Sequence, residues 1–299
     1  MDLLLGVLTA TFRNATPLVY GTLGELYSER AGVLNLGIEG TMYAGAFYGF
    51  AAAFWSGSLW VGVVAALVVG MVGGLLMALL TVTLGANQHV SGIGTTLLLI
   101  GLSEFSNRMI FGHRDVLPRL DPFPVLFREV PVLGQYGFTY VAFLLLVPLA
   151  WWGLMRTHFG LNVRAVGENP VAADAAGVDV AATRYRALAL AGGLMALGGA
   201  YFTLAALGSF TLDIISGRGW VCIALVIFGR WRVGRAVLGA LLFAGVFALQ
   251  LRLRILPGWG DVPFELLLAL PYLVTIVALG LSGRHVPYPG AYLQPYRRG

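Results

Sequence analysis

Five residues able to carry charge or polar chemistry, Glu25, Glu29, Arg30, Asn35 and Glu39, stand in the stretch ELYSERAGVLNLGIEGTMYAGAF, which is otherwise mostly apolar or small. Charged groups in such surroundings are costly and face protein or water. Gly32, Gly37, Gly40 and Gly45 are interleaved with them. Glycine there lets a helix break where its backbone lines a cavity. The pattern predicts a discontinuous helix near 31–54 on a translocation path. Glu29 and Arg30 also suit a plain loop at a span end. Asn35 and Glu39 lie deeper in the apolar run and suit the path.

A second polar cluster is GANQHVSGIGTT, residues 85–96, where Asn87, Gln88 and His89 precede Ser91, Thr95 and Thr96. His89 has no second ligand at metal spacing. Either the cluster is a turn followed by helix-stabilising hydroxyls, or Asn87, Gln88 and Ser91 line a polar path. Further along the same helix, Glu104 and Arg108 are one turn apart and are expected to pair. A third segment, RAVGENPVAADAAGVDVAATRYR, is rich in alanine, a strong helix former. Asn169 and Pro170 suit a cap and first turn, and Gly177 a stop. A short helix at a membrane face suits docking onto another protein; a linker is the plainer reading. Phe210 and Trp220 add aromatic surface near a span end.

Other chemistry is excluded. All nineteen basic residues are arginine. Without lysine there is no phosphate loop of the Walker type, no Schiff base and no serine–lysine hydrolase. Cys222 is the single cysteine, so an intrachain disulfide and a cysteine-based zinc site are ruled out. His89, His113, His158 and His285 all fall at span ends or in loops, which speaks against an intramembrane enzyme. His113-Arg114-Asp115 mimics a kinase tripeptide by chance, and Asn14-Ala15-Thr16 is a glycosylation sequon too close to an apolar run to be modified.

The elements that must position these residues are membrane helices. The chain is 58% hydrophobic and 11% charged, with a mean hydropathy of +0.82. A soluble domain carries about 25% charged residues. We read about nine apolar stretches: 3–27, 36–54, 59–84, 89–111, 137–156, 185–207, 218–229, 236–251 and 264–282. The fold class is all-α, a polytopic transmembrane bundle forming one domain over 1–299. The stretch 218–229 is short enough for a half-helix or one arm of a hairpin. Arg13, Asn14 and Pro17 suggest that the first stretch begins as an interfacial helix. Met1-Asp2-Leu3 lacks a basic leader region, so the first span is expected to stay. Arginines concentrate on one side: Arg30, Arg156, Arg164, Arg184, Arg186, Arg230, Arg232, Arg235, Arg284, Arg297 and Arg298 fall with the 157–183 loop. Arg114, Arg119, Arg128, Arg218, Arg252 and Arg254 fall opposite. The positive-inside rule puts the first set in the cytoplasm and explains the net charge of +5 without nucleic acid. A secondary transporter would commonly show an internal repeat, and none is evident.

Together the segments resemble permease subunits of bacterial ATP-binding-cassette (ABC) importers for ribose-type sugars, nucleosides and branched-chain amino acids. ERAGVLNLGIEGTMYAGAF is similar to the family's ER-x-G-x-x-N-x-G-x-E-G-x-M-x-x-G-A signature, and the third segment to its cytoplasmic coupling loop. GRGWVCIALVIFGRW, LPYL at Leu270–Leu273 and the ending from Pro287 to Arg297 also fit. Glu29, Glu39 and Glu168-Asn169-Pro170 look most like nucleoside permeases, specifically the smaller of their two permease subunits; a simple-sugar permease is the alternative. The resemblance implies alternating access without covalent chemistry, and no cofactor on this chain. ATP and Mg would bind a cytoplasmic ATP-binding subunit docked on the loop at about 157–183, through Arg164, Glu168, Asn169, Pro170, Ala173 and Gly177. A second permease subunit would complete a heterodimer in the bacterial inner membrane, and an extracytoplasmic lipoprotein would deliver substrate. Asn35, Glu39, Asn87, Gln88, Ser91, Phe210 and Trp220 would line the pathway.

Overall fold

The computed structural model describes residues 2–112, 118–253, 264–282 and 288–296. His113, Arg114, Asp115, Arg254, Arg284, His285, Pro287, Arg297 and Arg298 lie outside them. A helix occupies each expected apolar stretch: α1 (Asp2–Arg30), α2 (Ile38–Ser56), α3 (Leu59–Ala78) and α4 (Gln88–Phe111), then a composite of α5 (Gly137–Tyr140) and α6 (Val147–Arg156). After α7 (His158–Glu168) and α8 (Pro170–Ala175) come α9 (Val180–Tyr201), α10 (Arg218–Phe228), α11 (Val233–Leu253) and α12 (Phe264–Ser282). Wider π-helical turns extend α3 and α9 and join α5 to α6. Among the described residues four helical stretches are long and apolar enough to cross a membrane: Leu59–Thr83, Gly137–Arg156, Val180–Leu207 and Val233–Leu253.

Several expectations change. α1 is one continuous helix that carries Pro17 inside, with no separate interfacial start. The break near 31–54 falls at Ala31–Gly37, and α2 beyond it is uninterrupted. The 157–183 segment holds two short helices rather than one. Thr157 Oγ1 caps α7 by accepting from the Gly160 N–H at 3.0 Å, a signal hidden by the apolar run before it. Within the all-α bundle, Val125–Leu126 (β1) pairs antiparallel with Gln135–Tyr136 (β2) in the long loop. Glu104 and Arg108 form no ion pair: half-buried Glu104 faces α2 and accepts from the Tyr43 hydroxyl at 3.4 Å, while Arg108 is exposed. A half-buried carboxylate takes a nearby donor more readily than a flexible guanidinium out in the surroundings.

α9 is the centre of the bundle; 83% of its most apolar window is buried, against 33% for α3 and 28% for the α5–α6 stretch. α1 and α2 flank it. The helices meet through small residues, which let backbones close in where lipid supplies no hydrophobic drive. A Cβ on Gly192 of α9 would lie 2.1 Å from the Gly70 carbonyl of α3, and one on Gly199 would lie 1.8 Å from the Met42 carbonyl of α2. The outer helices turn large apolar side chains outward, among them Val64, Val68 and Val72 on α3 and Leu97, Leu98 and Phe105 on α4. A water-soluble protein rarely exposes so continuous a patch, and such a surface suits contact with a bilayer.

Candidate functional site

The break between α1 and α2 is buried yet irregular, so its backbone groups must find partners in the protein. Side chains from three helices supply them. Asn35 N–H donates to Glu25 Oε1 at 2.9 Å and Leu34 N–H to Gln88 Oε1 at 2.8 Å. Gln88 Nε2 donates to the Gly32 carbonyl at 3.4 Å, and Arg184 Nε to the Ala31 carbonyl at 3.1 Å. Asn35 also closes the turn on itself, its Oδ1 accepting from Gly37 N–H at 3.0 Å. Asn35 and Gln88 are therefore braces of the break. Ser91 is buried a turn further along α4. Asn87 is exposed and caps α4, accepting from His89 and Val90 N–H at 3.0 and 3.3 Å.

Past the break, Glu39 reaches across the bundle to α10. Its Oε1 accepts from Gly217 N–H and its Oε2 from Gly219 N–H, both at 2.7 Å. A helix N-terminus exposes unsatisfied N–H groups and partial positive charge, which a carboxylate complements. α10 is a half-helix of eleven residues that turns sharply at Gly229 into α11, so both the half-helix and the hairpin reading apply. Phe210 is buried edge-on against Tyr43 and Phe47, with centroids 5.4 and 5.2 Å apart. Trp220, 39% exposed, points out of α10.

At the end of the bundle where α10 stops, Arg230 and Trp231 both adopt left-handed backbone (φ 50° and 54°). Such conformations cost about 1–3 kcal/mol each and need surrounding structure to hold them. The support is dense. Trp231 Nε1 donates to Glu29 Oε2 at 2.6 Å, and Arg30 donates twice to the Trp231 carbonyl, at 3.0 and 2.9 Å. Tyr288 and Tyr292 pack on the Trp231 ring. Burial pushes the Tyr292 hydroxyl well above the usual tyrosine range, and the nearby glutamates Glu29 and Glu25 push it further.

The same end carries α7 and α8. Asn169 Oδ1 accepts from Ala172 N–H at 3.0 Å with Pro170 in the first turn, and Gly177 ends α8 in left-handed backbone (φ 85°). Ala173 is buried against Val166 and Val180, and Arg164 Nε bonds back to the Gly160 carbonyl at 3.3 Å. Glu168 joins three segments: Arg30 Nη1 approaches its Oε1 at 3.7 Å, and Gly290 N–H donates to its Oε2 at 3.2 Å. The C-terminal segment 288–296 is thus laid over both short helices. Ala291 N–H donates to the Gly167 carbonyl at 2.8 Å, and the Tyr296 hydroxyl to Asp174 Oδ2 at 3.0 Å.

The opposite half of the bundle contains a feature that pattern reading passed over. Arg13 and Asn14 of α1, Asp213, Ser216 and Arg218 converge on a cavity of about 430 Å³. The available signal was Ser209, Thr211, Asp213 and Ser216 spaced through Gly208–Gly217 between two apolar helices, with the odd Arg13–Asn14 pair inside a span.

A family model described as the permease component of branched-chain amino acid transport systems matches residues 7–279. The chain belongs to this permease family. The permease is similar to the guanosine ABC transporter permease protein NupQ of Bacillus subtilis, with 34% identity over 98% of this chain and 97% of that one. It is 35% identical to the nucleoside ABC transporter permease protein NupC of Lactococcus lactis, over 89% of each chain. A Haloferax volcanii protein provisionally named a glucose ABC transporter permease, TsgC13, is 36% identical over 100% of this chain and 99% of its own. No solved structure matches. The permease is accordingly a membrane protein and a component of a transport system, and the elements described above are those of an all-α helical bundle.

Proposed function

We propose that this permease, as one domain over 1–299, serves an ABC importer in the bacterial inner membrane and passes nucleosides by alternating access. The observation that carries the reading is full-length similarity to two permeases named for guanosine and nucleoside transport, joined to a buried polar break at Ala31–Gly37. A cytoplasmic ATPase, holding ATP and Mg, would dock on α7 and α8 at Arg164, Glu168, Asn169, Pro170, Ala173 and Gly177. Its motion would reach the break through Glu168, Arg30 and Trp231, which already touch in series. A second permease subunit would cover the exposed apolar face, and an extracytoplasmic lipoprotein would hand over substrate. Asn35, Gln88 and Asn87 hold the pathway's frame; Glu39, Ser91, Phe210 and Trp220 lie beside it. TsgC13 supports a second reading, a simple sugar as cargo. The deciding experiment is uptake of labelled guanosine and glucose into proteoliposomes that hold the complete importer. ATP-dependent guanosine uptake is expected. Uptake that continues without the ATPase would overturn the ABC assignment, and uptake of glucose alone would overturn the nucleoside one.

A further inference from the structure

The segment Gly208–Gly217 is non-helical over most of its length and runs from a contact with the long loop, where Leu120 N–H donates to the Gly208 carbonyl at 2.7 Å, down to the Glu39-capped start of α10. It therefore descends into the bundle as irregular backbone. At membrane depth such backbone persists only inside protein or beside water. Thr211, Asp213 and Ser216 on this segment are exposed and polar, which suits the wall of a water-filled cavity, whereas the exposed Leu212 suits an apolar neighbour. The cavity's 430 Å³ falls within the range of about 300–1,000 Å³ of pockets that hold small molecules.

Its walls are of two kinds. Asn14, Asp213 and Ser216 offer neutral and anionic hydrogen-bonding groups, and no described side chain bonds the Asp213 carboxylate. The same cavity is also lined by aromatic rings backed by guanidinium groups. Arg218 lies 5.0 Å over Phe202 and 5.8 Å over Phe247, and Arg13 lies 5.2 Å over Tyr136. Arg218 is pinned by the Ile214 and Ile215 carbonyls at 3.3 and 3.0 Å, so its plane is fixed. Asn14, Ser216 and Arg218 also line a second cavity of about 240 Å³ with Phe247 and Tyr272 on its wall.

We infer that this vestibule is a substrate-holding station for a molecule with a hydroxyl-bearing part and a planar aromatic part, with Asp213 and Asn14 receiving the hydroxyls and the Tyr136–Phe202 wall receiving the ring. The inference rests on the nucleoside reading above and deepens it. A carboxylate and an amide are the acceptors and donors that pair with vicinal hydroxyls, and nucleobases stack on aromatic rings through their π-faces. Two guanidiniums against one carboxylate also disfavour a cationic substrate.

The chain's single, buried cysteine makes a direct test clean. Thr211→Cys, Ala206→Cys and Leu207→Cys, on the cavity wall but outside the groups assigned to hold substrate, are made one at a time in the complete importer. Each is treated with a charged, membrane-impermeant thiol reagent, and labelling of this chain is read by mass spectrometry. Labelling is expected from the substrate-entry side, and guanosine at about ten times its dissociation constant slows it about tenfold by occupancy, whereas ribose or leucine leaves it unchanged. Labelling that guanosine does not slow, in variants that retain ATP-dependent guanosine uptake, overturns the vestibule alone. Absence of labelling at all three positions overturns it as well. Failure of the wild-type importer to take up guanosine overturns the underlying nucleoside reading instead. Three positions guard against one variant failing to assemble.

Discussion

Glu39 is the residue whose surroundings most constrain its chemistry. Its two oxygens take one backbone N–H each from Gly217 and Gly219, and a Cβ on Gly219 would lie 2.6 Å from Oε2. Nothing larger than glycine fits between carboxylate and helix end. Glu39→Ala strands both donors, one buried and one part-buried, and is expected to destabilise the bundle by about 2–6 kcal/mol, since each stranded donor costs about 1–3. Glu39→Gln keeps one acceptor and should lose about half as much. Thermal unfolding of the purified complex in detergent checks the order of the two. Trp231→Phe keeps the ring contacts with Tyr288 and Tyr292 but removes the 2.6 Å bond to Glu29, so a loss of about 1–3 kcal/mol is expected in the same assay. The importance of Glu39 was legible in the sequence as a carboxylate inside an apolar run. Its partner was not, because 178 residues separate it from Gly217.

At the scale of elements, the short helices α7 and α8 are joined to the break by close contact. Gly167 packs so tightly that an added Cβ would lie 2.0 Å from the Arg30 carbonyl. Gly167→Ala must push α7 off the end of α1. If α7 and α8 transmit the ATPase motion, uptake per ATP hydrolysed falls about tenfold, the consequence of about 1.4 kcal/mol at the transmitting contact, while hydrolysis continues. Parallel uptake and hydrolysis assays on the reconstituted importer read the ratio; an unchanged ratio would show that transmission bypasses this contact. Asn169, Pro170 and Gly177 marked α8 in advance because caps and stops are local chemistry. The C-terminal strap over both helices was invisible, because the bonds of Gly290 to Glu168 and Tyr296 to Asp174 each span 122 residues.

Across the whole molecule, stability rests on small residues at helix crossings, chiefly the meeting of α3 and α9. Gly192→Ala sets a methyl 2.1 Å from the Gly70 carbonyl, and the helices must part. Overpacking of this kind costs about 1–3 kcal/mol, and Gly192→Leu should cost more. A graded fall in thermal stability across glycine, alanine and leucine, followed by size-exclusion chromatography, checks it; equal stability would show that the crossing is slack. Composition and hydropathy alone determined that the chain is helical and where its longer helices run. Those are local properties, since a helix satisfies its own backbone bonds four residues away and lipid rewards apolar side chains one by one. The polar site was decided by the tertiary structure. Only the packing of α4 and α10 on α2, and of α10 on α1, turns Glu39 toward the start of α10, wraps Asn35 and Gln88 around the break, and brings Arg13 and Asn14 to one cavity with Asp213 and Arg218. Such meetings depend on which helix faces meet across long chain separations, and no local pattern of residues encodes that.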